Sequence, residues 1–283
     1  MTAGEEGSFR GTRARKIFWQ SWSPAGDQQL KGVVTIAHGY GEHIGRYGHV
    51  AERLNEAGFA VYGPDHQGHG RSGGKRGRIK LREAVADLDQ LILTVSKGRH
   101  PELPQFLLGH SLGGAIALRY AMVHQSRLTG LALSAPLAAV EGGPALHAFA
   151  RVLGTVLPRV PLSKVQPRLV SRDQAIVNAY IADPLNYHGA VPAGVAGDLI
   201  AHVGTLAAGV RRITLPTLLM WGTADRLCPP AGAELVAANI GSEDLTVRRY
   251  EGLFHEIMNE PEQEQVLDDL VGWLGAHLPA AVA

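Results

Sequence analysis

Six short apolar runs, each closed by turn residues, limit what this chain can fold into: GVVTIAHG (32–39), GFAVYGPD (58–65), QFLLGH (105–110), GLALSAP (130–136), TLLMWG (217–222) and LTVRRY (245–250). Most are apolar at consecutive rather than alternate positions, the pattern of strands covered on both faces in a parallel sheet. Between them lie segments with helical spacing, such as RYGHVAERLNEAG, LREAVADLDQLILTVSKG and SLGGAIALRYAMVHQ. In the second, Val85, Leu88, Leu91, Ile92 and Val95 mark one buried stripe. Strand and helix in alternation predict an α/β fold with a mostly parallel central sheet flanked by helices. KIFWQSW (16–22) is expected to add an antiparallel edge strand. With 283 residues, 45% of them apolar, the chain can bury one large domain or a domain carrying an insertion.

The alternation lapses from about Leu137 to Arg212, where helical periodicity and prolines replace strand signals. The expected organisation is a core made of residues 1–136 and 213–283, with 137–212 inserted as a helical cap. Such a cap would lie over the C-terminal edge of the sheet, where open α/β sheets place their ligand sites.

GHSLG (109–113) fits G-x-S-x-G between a buried strand and a helix, the context in which this motif displays a nucleophile on a sharp turn. Ser111 at the tip must adopt a strained backbone, which the flanking Gly109 and Gly113 permit. The helix beneath it offers free N–H groups to a developing oxyanion. A serine hydroxyl needs a base and the base an orienting acid, in chain order Ser, Asp/Glu, His. Asp225 in GTADRLCPP and His255 in GLFHE satisfy that order, each in a loop just past a strand. Taken singly, Asp225 reads as a turn residue and His255 as a loop histidine; together with Ser111 they predict a triad. The Leu112 N–H and the Tyr40 N–H, in the Gly-rich loop TIAHGYGEH, are the expected oxyanion donors. His110 adjoins the nucleophile but is expected to point away from it.

Other chemistry finds less support. A net charge of +1 argues against dedicated nucleic-acid binding. The basic stretch RSGGKRGRIK (71–80) reads as a solvated loop rather than a phosphate-binding patch. Cys228 is the only cysteine, so no disulfide and no zinc-type spacing exist. His66 and His69 lack a clustered third ligand, so no metal is expected, nor any cofactor. No apolar core of signal-peptide length and no run of about 18 apolar residues is visible, which predicts a cytoplasmic or peripherally membrane-associated protein.

The blocks HGYGEHIGRY, DHQGHGRSGG, GHSLGG, SRDQAIVNAYIADPLNYHG, WGTADRLCP and GLFHEIMNEPE together resemble the monoacylglycerol lipase family, serine hydrolases also described as lysophospholipases or serine aminopeptidase-like. The resemblance runs from about Ala37 to Leu270. It implies the α/β-hydrolase fold and hydrolysis of a monoacylglycerol substrate to glycerol and fatty acid; no obligatory protein partner is evident from the sequence. It also implies a cap that touches membrane, and Glu42, Arg46 and Tyr180 near the glycerol end of the site. Leu146, Phe149, Val152, Leu153, Val156 and Leu157 recur at helical spacing beside Arg151 and Arg159; Phe149 and Leu153 are the expected contacts to lipid. Rival expectations are a lysophospholipase or a short-chain carboxylesterase with the same triad and, from another class, a non-catalytic lipid-binding protein.

Overall fold

The computed structural model describes residues 4–26 and 28–279. In chain order the strands are β1 (Glu6–Arg10), β2 (Lys16–Trp22), β3 (Gly32–Ala37), β4 (Phe59–Pro64), β5 (Gln105–His110), β6 (Gly130–Ser134), β7 (Thr217–Gly222) and β8 (Leu245–Tyr250). The helices are α1 (Gly48–Glu56), α2 (Leu81–Leu91), α3 (Lys97–Arg99), α4 (Leu112–His124), α5 (Pro144–Val156), α6 (Gln174–Ala182), α7 (Ala193–Gly209), α8 (Pro230–Asn239) and α9 (Gln263–Ala276). A π-helical turn, Ile92–Ser96, joins α2 to α3.

The eight strands form one sheet in the order β1-β2-β4-β3-β5-β6-β7-β8. β2 pairs antiparallel with β1 and β4, and every other pairing is parallel. This is the α/β-hydrolase fold. Every residue of β3, β4, β5, β6 and β7 is buried, as their unbroken apolar runs require. Leu88, Leu91 and Ile92 of the predicted stripe are essentially inaccessible, each contributing about 1.5–3 kcal/mol by burial.

One expectation is corrected here. KIFWQSW is antiparallel but not at the edge, because β1 lies outside it. Glu6–Arg10 alternates between exposed and half-buried residues, and Phe9 alone offers an apolar side chain to the layer beneath. A strand held mainly by backbone pairing leaves little trace in hydropathy.

Between β6 and β7 the chain builds α5, α6 and α7 with no further strand. The 20 residues Ala193–Arg212 are long and apolar enough to cross a membrane. Yet Val195, Leu199, Leu206 and Val210 belong to the main apolar core, so this segment reads as an internal helix.

Candidate active site

Four loops converge at the C-terminal edge of the sheet. They follow β3 (His38–Tyr40), β5 (Ser111), β7 (Asp225) and β8 (His255). Ser111 has φ +54° and ψ −118°, a left-handed conformation rare outside glycine. Its neighbours explain why the turn closes. A Cβ on Gly113 would stand 1.9 Å from the Ala37 carbonyl oxygen, and one on Gly109 would stand 2.5 Å from the Gly113 oxygen. The turn is anchored by the Ser111 N–H donating to Ser134 O (3.1 Å) and the Leu137 N–H donating to Ser111 O (2.9 Å).

His255 Nδ1 meets Asp225 Oδ2 at 2.8 Å. Asp225 Oδ1 accepts from the backbone N–H groups of Leu227 (2.8 Å) and Cys228 (2.9 Å), so each carboxylate oxygen has a fixed partner. Burial pushes the His255 imidazole down, but the Asp225 charge and hydrogen bond more than offset it, leaving a base above its ordinary range. Ser111 and His255 line the same pocket without closing a hydrogen bond; the hydroxyl faces the Cys228 sulfur at 3.8 Å instead. Nucleophile–base contacts are often open before substrate arrives. Burial holds the Cys228 thiol protonated, its pKa raised well above the usual value. Among the described residues, the Tyr40 and Leu112 N–H groups have no acceptor, which leaves both open to an incoming oxygen.

The pocket is about 130 Å³, with apolar walls from Leu137, Val165, Val170, Val191, Leu199 and Leu227. Glu42 and Tyr180 line its polar side; Arg46 stands behind them. Glu42 Oε1 accepts from the Gly39 N–H and from the Tyr47 hydroxyl (2.8 Å), and Oε2 binds Arg46 (2.6 Å). The Arg46 guanidinium also grips Glu256 with two 2.7 Å bonds and lies 4.9 Å over the Tyr180 ring. Glu42 and Arg46, four residues apart, are therefore paired within a larger buried network.

Phe149 and Leu153, expected to contact lipid, do not line the Ser111 pocket, and Phe149 is 63% exposed. α5 turns small residues toward α7: a Cβ on Gly154 would stand 2.5 Å from the Ala193 oxygen, and Gly197 lies against Ala150. Close helix approach on that face sends the large side chains outward. His110, expected to point away, lines the pocket with its ring 4.8 Å from that of His255. Burial and then the neighbouring His255 push it down to about 4, so it is a neutral wall.

Sequence reasoning also missed Glu256, buried beside His255; its only signal was the acidic residue in FHE. His66 and His69 pack with His38 and stay neutral, lowered to about 3 and about 4, first of all by burial. No group of three potential metal ligands occurs among the described residues.

The family model for serine aminopeptidase, S33 (Hydrolase_4) matches residues 28–262. A monoacylglycerol lipase of Mycolicibacterium smegmatis is 43% identical over 96% of this chain and 98% of its own. The chain belongs to the monoacylglycerol lipase family. The monoglyceride lipase of Rattus norvegicus is 36% identical over 94% of this chain and 89% of its own. Among solved structures, the monoacylglycerol lipase of Paleococcus ferrophilus superposes with a TM-score of 0.83 at 34% identity, covering 92% of this chain and 99% of its own.

Proposed function

We propose that this chain hydrolyses monoacylglycerols to glycerol and free fatty acid through an acyl-enzyme on Ser111. The observation that carries the reading is the buried Asp225–His255 pair, 2.8 Å apart, in one pocket with the strained Ser111 and apolar walls. Ser111 Oγ attacks the ester carbonyl while His255 Nε2 takes its proton, and Asp225 stabilises the imidazolium. The Tyr40 and Leu112 N–H groups receive the charge that develops on the carbonyl oxygen. His255 then protonates the departing glycerol oxygen, and water repeats the sequence on the acyl-enzyme.

Glu42, Arg46 and Tyr180 form the polar end. Because the Glu42 and Arg46 head groups are already engaged, their role in this reading is to set the shape and charge of the glycerol side. Residues 137–212 act as the cap. The 130 Å³ pocket is smaller than the ~300–1,000 Å³ common for ligand sites, so admitting a long acyl chain requires the cap to move. The outward-facing Leu146, Phe149, Val152, Val156 and Leu157, with Arg151 close by, suit contact with a membrane surface. A hydrolysis panel of mono-, di- and triacylglycerols with lysophospholipids, run beside Ser111→Ala and fluorophosphonate labelling, tests the activity. Full turnover by Ser111→Ala, or preference for triacylglycerol, overturns it. The small pocket favours one second reading, a short-chain carboxylesterase, which an optimum confined to two to four acyl carbons would support. For membrane contact, equal flotation of wild type and Phe149→Asp/Val152→Asp with liposomes is the refuting result.

A further inference from the structure

A second cleft, about 460 Å³, lies apart from Ser111, where the Thr12–Ala14 turn and the 67–83 stretch meet the segments around Pro158 and Pro192. Six cationic side chains line it: Arg13, Arg15, Lys75, Arg78, Lys80 and Arg159. Glu83 is the one carboxylate in its wall, and Arg13 (2.6 Å) and Arg15 (2.8 Å) already hold it. Lys75, Arg78, Lys80 and Arg159 make no ion pair with any described residue. Gathering cations without counter-charges is unfavourable by itself, and a bound anion would relieve it.

The basic loop divides into two sets. Arg71 is taken by Glu6 at 2.7 Å, and Arg76 by the Gly70 and Leu185 carbonyls. The remaining cations, Lys75, Arg78 and Lys80, face the cleft, so the stretch is not simply a solvated loop. Opposite them, Arg13 (φ +57°) and Ala14 (φ +55°) are successive non-glycine residues in the left-handed region, a strain that the fold retains where it presents Arg13 and Arg15. Gln67, 3% exposed, lines the same cleft; its Oε1 accepts from Arg15, while Nε2 closes no hydrogen bond with any described residue. Guanidinium forks, ammonium groups and an amide donor, with the one carboxylate already paired, match a tetrahedral oxyanion. Ile79, Pro158 and Val195 give one wall an apolar character, and α5, with its exposed Val156, ends just before Pro158.

We propose that this cleft binds a phosphoryl group, carried by an anionic phospholipid headgroup or by a free phosphomonoester. Because its walls come from core residues 13–83 and from Pro158, Arg159, Pro192, Gly194 and Val195 of the 137–212 insertion, an occupant bridges the cap and the core. The test uses the full chain and the variant Arg78→Ala/Arg159→Ala, whose side chains are partly or fully exposed and unpaired. Arg168→Ala/Arg211→Ala removes the same charge elsewhere. Each protein is titrated calorimetrically with glycerol 3-phosphate at fixed ionic strength, and floated with phosphatidylglycerol or phosphatidylcholine vesicles. Saturable glycerol 3-phosphate binding, weakened about tenfold or more only in Arg78→Ala/Arg159→Ala, assigns the free ester. Loss of phosphatidylglycerol flotation in that variant alone assigns the lipid headgroup. If neither ligand distinguishes the two charge-matched variants, the proposal is overturned.

Discussion

Asp225→Asn isolates what the carboxylate does for His255. In the structure Oδ1 accepts from two backbone N–H groups and Oδ2 meets His255 Nδ1. Asparagine keeps this arrangement only with its carbonyl oxygen on the two backbone donors; turned over, its amino group would oppose both N–H groups. The side-chain NH₂ must then face His255 Nδ1 and donate to it. Nδ1 becomes the acceptor, the ring proton moves to Nε2, and no lone pair remains there to take the Ser111 proton. The expected fall in kcat is about 10⁴-fold, as when a triad acid is neutralised elsewhere, equivalent to about 5.5 kcal/mol of barrier. KM should change little because no substrate contact is removed. Thermal stability should fall only slightly, since both backbone bonds persist. Steady-state monoacylglycerol hydrolysis, fluorophosphonate labelling rate and Tm are the three readouts. A folded variant with kcat within tenfold of wild type would refute the tautomer argument.

Gly113→Ala is expected to destabilise by more than about 3 kcal/mol, because its Cβ meets backbone oxygens that cannot swing aside; Gly48→Ala, with nothing within 4 Å, should leave Tm almost unchanged. Arg46→Met should cost about 3–5 kcal/mol, stranding Glu42 and Glu256, whose side chains are 5% and 6% exposed. Burial pushes the Glu256 carboxyl up, but Arg46 more than offsets it and brings it to about 2. A depressed carboxylate stabilises the fold above its unfolded pKa of about 4.3, and that contribution fades as pH falls through the folded value. The gap in denaturant stability between wild type and Arg46→Met should therefore narrow from about pH 5 toward pH 2; a flat gap counts against the network. Because Asp225 outweighs burial and raises the His255 pKa, the acid limb of kcat/KM should have its midpoint above about 6.5, with activity rising as the imidazolium loses its proton. A midpoint well below that value would contradict the balance.

The three residues of the proposed triad could be picked out before the fold was seen because each carries its context with it. Ser111 sits between glycines at a strand-to-helix junction, and Asp225 and His255 each follow a strand-like run. Parallel strands all end on one side, so residues just past their ends converge whatever their separation along the chain. β1 escaped notice because backbone pairing, not side-chain burial, holds it in the sheet.

Local periodicity, turn chemistry and residue order determined the central sheet, the elbow and the choice of the proposed nucleophile, base and acid, since these depend on each residue's near neighbours. Only the tertiary structure decided that α5 turns its large side chains outward, that His110 walls the pocket, and that Arg46 joins Glu42 to a glutamate 210 residues along the chain. It alone gathered cations from three distant segments around one cleft. Such facts depend on which face a neighbouring element can approach, and periodicity identifies an apolar face without naming what lies against it.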